Sequence, residues 1–245
     1  MDGLREDVAM GEPVLDTAQH EAPVDKEQSQ KSYWSIDFAT TFGAVAYYDG
    51  KTIHAADQWK DDQFLYVRRK TDSVPLVIKY EPNPAFGWTI YQLQRKPKHS
   101  IHHEDATIVQ HAKLWLDDSP STQSFRNELE PKINQLLQDG AIQKGGDVAR
   151  DSVAMMLAQA RRCVIDRGII MGNEDPEFVL TVSAGWSFQS HTRLLAVLTE
   201  AVERTFGMDK TYIKNHRYLV AEPAAAATQI LNDHPGRLKV RYSAP

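Results

Sequence analysis

Apolar and polar positions alternate early in the chain. Ile36 and Phe38 flank a central Asp37, Ala39-Thr40-Thr41 makes a bend, and Gly43 to Tyr48 returns as a second apolar run. This pattern predicts two short strands around a tight turn, and Asp49-Gly50 marks another turn into Lys51–Ala55. Val74–Tyr80 reads as a strand with Pro75 near its start, where a missing donor is tolerated. Residues 81–87 read as a turn, and Trp88–Leu93 alternates as the hairpin partner. Residues 58–70 read as a connector, and Ala106–Trp115 as a short helix or strand.

The later half changes period. Leu129, Ile133, Leu136 and Leu137 give helical spacing over Ser124–Gln138, with Gly140 beyond the end. Val153, Met156, Leu157, Ala160 and Val164 do the same over Asp147–Asp166, stopped by Gly168. Glu177–Ser183 is a continuous apolar run of the buried-strand kind. A helix follows from Phe188 to Phe206, with Gly207 as its stop. Tyr218–Ala221 is a further strand, and Glu222-Pro223 opens a helix over Ala224–Leu231, since proline suits a first helical turn. Hairpins first, then helix–strand–helix–strand–helix, predict an α/β fold with a mixed β-sheet and flanking helices.

Composition narrows the setting. With 245 residues and 42% hydrophobic positions, the chain can bury one large or two small cores. A net charge of −5 argues against a nucleic-acid partner. The single cysteine, Cys163, excludes an internal disulfide framework and fits a reducing setting. No apolar signal core or long uncharged apolar run is present, so a cytoplasmic location without membrane contact is expected. Residues 1–31 are polar and acid-biased and are expected to form a disordered tail. The domain is expected over 32–232, with an insertion at about 56–145 and a C-terminal tail over 233–245.

Several residues invite a chemical reading. His99, His102, His103 and His111 with Glu104 and Asp105 match no closed zinc spacing. Cys163 has no evident His–Asp partner and reads as a structural thiol. Trp59, Trp88, Trp115 and Trp186 read as packing residues. The bend at 39–41 differs: small and hydroxyl residues at a hairpin tip bring backbone N–H groups and Thr Oγ atoms close to an anion such as phosphate. Asp37 beside it suits a hydrated Mg²⁺.

Three segments, in order, resemble the actin-like ATPase superfamily (a ribonuclease H-like fold), specifically divergent fungal-type members of the heat-shock protein 70 family. Ile36-Asp-Phe-Ala-Thr-Thr41 looks like the first phosphate loop. Leu180-Thr-Val-Ser-Ala-Gly-Trp-Ser187 before a long helix resembles the strand–VPA–helix segment. Leu219-Val-Ala-Glu-Pro-Ala-Ala-Ala-Ala227 is close to the EPxAAA segment. Lys113-Leu-Trp-Leu-Asp117 resembles a K-x-x-L-D segment of the divergent branch, and the Val74–Tyr80 strand before Gly87-Trp88 also fits that branch.

The resemblance implies an ATP- or ADP-binding, Mg²⁺-dependent chaperone ATPase. Asp37 would sit on the metal's water shell, and Ala39, Thr40, Thr41 and Phe42 would form the phosphate loop. Glu222 would lie near the attacking water or the metal, and Lys113 would face phosphate. A protein client or co-chaperone is the implied partner. Two departures bear on activity. Ala39 stands where the family's turn glycine would be, so a methyl group is expected to crowd the phosphate or strain the bend. The second, Gly-rich D-x-G-G-G-T hairpin and the adenosine segment do not occur before Pro245, so only the first lobe and weak or absent ATPase activity are expected.

Blander roles stand beside these. Asp37 could be a turn carboxylate, Thr40 and Thr41 ordinary strand residues, Glu222 a helix-start acid and Lys113 a solvated lysine. Two rival readings follow. One is a non-enzymatic interaction or remnant module that binds a partner, or a second copy, through the face the other lobe would cover. The other is a sugar-kinase-like relative with the same Asp-x-x-Thr-Thr hairpin.

Overall fold

The computed structural model describes residues 31–56, 73–80, 85–88, 90–91, 107–169 and 175–225. The N-terminal tail through residue 30, the connector, the His-rich stretch before residue 107, Trp59 and the helix beyond residue 225 lie outside the described residues.

The first hairpin is the centre of the sheet. In β1 (Tyr33–Phe38), Trp34, Ile36 and Phe38 are buried while Ser35 and Asp37 are exposed, as the period-2 pattern requires. β2 (Phe42–Tyr48) pairs antiparallel with it, placing Asp37 opposite Ala44 and Phe38 opposite Gly43. Gly43 is needed for space. A Cβ there would run into Met156 and Leu76 side chains, so β2 could not lie as close to the helix beneath it. β3 (Ile53–Ala55) extends the meander, and β8 (Glu177–Val182) and β9 (Arg217–Ala221) run parallel to β1 on its other side. The strand order is β3-β2-β1-β8-β9, a mixed sheet.

Helices α2 (Asp147–Asp166) and α3 (Phe188–Phe206) pack on each other and on one face of this sheet. Phe178 and Leu180 from β8, Met156 and Leu157 from α2, and Leu194 and Leu198 from α3 are fully buried between the layers. Each such side chain contributes roughly 1.5–3 kcal/mol by leaving water. Cys163 is buried in α2, in keeping with a structural thiol. Ser187 caps α3 by accepting from the Ser190 N–H at 3.1 Å, and Gly207, at φ 70°, ends it in the left-handed region. The short α4 (Lys210–Asn215) leads into β9.

A smaller antiparallel sheet joins β5 (Val77–Lys79), β6 (Ala85–Phe86) and β7 (Ile108–Gln110) in the order β6-β5-β7. β4 (Val74–Pro75) belongs to the main sheet, paired with β2. The strand expected over 74–80 is thus divided at Leu76, whose N–H donates to the Thr41 carbonyl at 2.8 Å. The hairpin partner of β5 is Ala85–Phe86 rather than Trp88–Leu93. Gly87 turns the chain at φ 88°, and Trp88, Ile90 and Tyr91 are helical instead. Ala106–Trp115 resolves into β7 followed by a 3-10 helix over Ala112–Leu116, and α1 (Gln123–Gln138) follows. No described helix is long and apolar enough to cross a membrane.

Candidate functional site

The parallel strands β1, β8 and β9 end on the same side of the sheet, where open α/β sheets bind ligands. Asp37 lies near the end of β1. Its Oδ1 accepts from the Thr181 hydroxyl of β8 at 2.8 Å, which holds one carboxylate oxygen and leaves the other available. Ser183, Gly185 and Trp186 follow β8, and Glu222 follows β9 as the first helical residue after the strand. These segments converge on a cleft of about 310 Å³ lined by Ala39, Thr40, Lys113, Trp186 and Glu222, among others.

Lys113 is the most constrained member. The turn before it puts His111 in the left-handed region at φ 57°, the only described non-glycine residue with positive φ. Leu114 N–H then donates to the His111 carbonyl at 2.9 Å and starts the 3-10 helix. The helix carries Lys113 inward: its side chain is 4% exposed, against 41% for Glu222. Lys113 Nζ donates to Glu222 Oε1 at 2.8 Å and lies 5.3 Å from the Trp186 ring centroid, so one cation bridges the ends of two segments.

The segment after the 3-10 helix is tied to α3. Asp118 Oδ1 accepts from the Ser187 hydroxyl at 3.0 Å and the Ser190 hydroxyl at 3.2 Å, and Arg193 pairs with Oδ2 at 3.4 Å. The Ser187 hydrogen bond, helped by Ser190 and Arg193 against some desolvation, holds the Asp118 carboxyl below its ordinary range. This clamp fixes Lys113 relative to the 183–186 turn.

The expected residues do not all meet. Ala39, Thr40, Lys113 and Glu222 line the cleft together. Asp37 flanks it through Thr181. Thr41 is exposed and its carbonyl is taken by Leu76. The Phe42 ring packs on Trp88 and Tyr91 at 5.9 and 5.7 Å between centroids, not on the cleft. Ala39 needs no left-handed φ, so its methyl group does not strain the bend; it remains on the cleft wall. His111, the one described member of the His cluster, stacks edge-on against Phe125.

Sequence reading missed the hydroxyl-rich wall. Ser119, Ser121 and Thr122 line the cleft beside buried Asp117, whose carboxylate accepts from Ser119 N–H at 3.1 Å and Ser119 Oγ at 2.8 Å. The run Asp117-Asp-Ser-Pro-Ser-Thr122 was a signal, since such residues cluster where backbone turns or polar ligands need oxygen partners.

Among the described ionisable residues lining the cleft, one cation faces two carboxylates, with Asp37 at the edge. A polyphosphate would therefore enter favourably only with a cation of its own. No group of three or more His, Cys, Asp or Glu among the described residues is arranged as a metal cage. Mg²⁺ does not require one: it is commonly held by one or two carboxylates, waters and substrate phosphates. Asp37, with a carboxylate oxygen to spare and Thr181 fixing the other, fits that mode. No protein-family model matches the chain, and no curated protein matches its sequence.

Proposed function

We propose that the cleft binds the phosphates of a Mg²⁺–nucleotide, ATP or ADP, in an actin-like lobe of the heat-shock protein 70 type. The observation that carries this reading is the meeting of the 39–40 hairpin tip, Lys113 and Glu222 on one cleft at the ends of the parallel strands. The strand arrangement supports it, since segments far apart in sequence reach that edge from three neighbouring strands.

Thr40 and the backbone at the tip would bind phosphate oxygens. Lys113 would exchange Glu222 for a phosphate oxygen, and Glu222, once released, would accept a hydrogen bond from the attacking water. Asp37 would hold the hydrated Mg²⁺, which supplies charge neutralisation on the phosphates. Among the described residues one lysine lines the cleft, so affinity and turnover are expected to be low.

Calorimetric titration of the full chain with ATP tests this reading. Saturable binding that requires Mg²⁺ and weakens at least about tenfold in Lys113→Met is expected. Binding indifferent to Mg²⁺ or to Lys113, or none up to about 5 mM ATP, would overturn it.

A second reading, an interaction module, is favoured by exposed apolar side chains. Phe188 at the start of α3 is 84% exposed, and Ile53, on the sheet face away from the helices, is 70% exposed. Under that reading the chain self-associates and does not bind ATP.

A further inference from the structure

A second cavity, of about 430 Å³, shares none of its described lining residues with the cleft. The two meet along the 3-10 helix: Lys113 and Leu114 line the cleft, whereas Trp115 and Leu116 line the cavity. The cavity's size lies within the range of small-molecule sites.

Its floor is apolar. Trp115 and Leu116 face Ala196 and Val197 of α3, and Gly146 adds no side chain. The indole is held in place from behind, because the Gly145 backbone presses against it so closely that a Cβ there would overlap the ring. A wall fixed in this way is preformed, which lowers the ordering cost of binding.

The rim is charged. Among the described residues Lys144, Arg193 and Glu200 line it. Lys144 Nζ pairs with Glu200 at 2.6 Å. Arg193 donates to the Leu116 carbonyl at 3.2 Å and meets Asp118 at 3.4 Å, yet its side chain remains 47% exposed. Its five N–H donors exceed these two acceptors. A planar carboxylate is the natural complement of a guanidinium fork.

We propose that this cavity binds a small aromatic carboxylate, with the ring against Trp115 and Val197 and the carboxylate at Arg193. The site stands apart from the nucleotide reading and does not depend on it. A ligand there would lean on the same 3-10 helix that carries Lys113.

The test uses the full chain and naphthoate as probe, with naphthyl methanol as its neutral counterpart, followed by saturation-transfer NMR and calorimetry. Naphthoate should bind saturably and about tenfold more tightly than the alcohol, and Arg193→Gln should erase that preference. Two variants fill the cavity. Ala196→Trp does so from an exposed helical position. Gly146→Leu does so where an added Cβ meets nothing nearer than Leu116 Cδ2 at 4.0 Å. Either variant, with an unchanged circular dichroism spectrum, should abolish binding. No saturable binding, or binding that survives in a folded filled variant, would overturn the proposal. Equal affinity for acid and alcohol would overturn the assigned ligand class.

Discussion

At one end of the parallel strands, Lys31 Nζ meets Glu177 Oε1 at 2.6 Å, with the lysine side chain 62% exposed and the carboxylate 7%. At the other end, Lys113 Nζ meets Glu222 Oε1 at 2.8 Å with the exposures reversed. An ion removed from water costs several kcal/mol unless it keeps a counter-charge, so the buried partner is the one the fold commits. At the first end that partner is an anion, answered by a lysine in open solvent. At the second it is a cation, and the anion answering it stands half-exposed in a cleft. Glu222 can therefore yield its place to another anion without exposing core, whereas at the first end an incoming anion would meet the buried Glu177 carboxylate.

Charge reversal separates the two ends most sharply. Glu222→Lys leaves Lys113 buried beside a like charge and is expected to destabilise the fold by about 2–3 kcal/mol, measured by urea unfolding. At the other end Glu177→Gln neutralises the buried partner itself: Lys31 hydrates, and the thermal midpoint should fall by much less. A loss at Glu177 as large as at Glu222 would erase the distinction.

The smallest effect is a titration. The hydrogen bond and charge of Glu177 raise the Lys31 pKa above its ordinary value. A raised folded pKa means that the contribution is fully present below the unfolded value, about 10.4, and is lost as pH rises through the folded one. The midpoint should therefore fall slightly more above that pH in the natural protein than in Lys31→Met. Identical alkaline profiles would show that the pair contributes nothing.

Much of the framework was legible because periodicity reports burial. The helix over Asp147–Asp166 matches its expected bounds, and that of Phe188–Phe206 does too, since Gly207 and the Ser187 cap mark its ends chemically. Trp88–Leu93 misled because alternation in six residues is also compatible with a helical turn, and Gly87 decides between them by reversing the chain one residue earlier. In the cleft, Thr40, Lys113 and Glu222 could be named from motifs, as could Asp37 at its edge. Phe42 could not be judged, because its ring direction depends on Trp88 and Tyr91 from a distant segment. The burial of Lys113 was equally hidden: it follows from the left-handed turn at His111, a conformation that histidine favours more than most residues but that the sequence does not locate.

If the anion beside Lys113 is exchangeable, tripolyphosphate titrated into Glu222→Gln without Mg²⁺ will reveal it. Removing one carboxylate frees the lysine and makes the cleft less negative, so Glu222→Gln should bind at least about tenfold more tightly than the natural protein, whose own binding without Mg²⁺ is expected to be weak or undetectable, with a larger gain in thermal midpoint on saturation. Equal or weaker binding by Glu222→Gln would mean that Lys113 is a fixed structural partner, and the phosphate site would have to be abandoned.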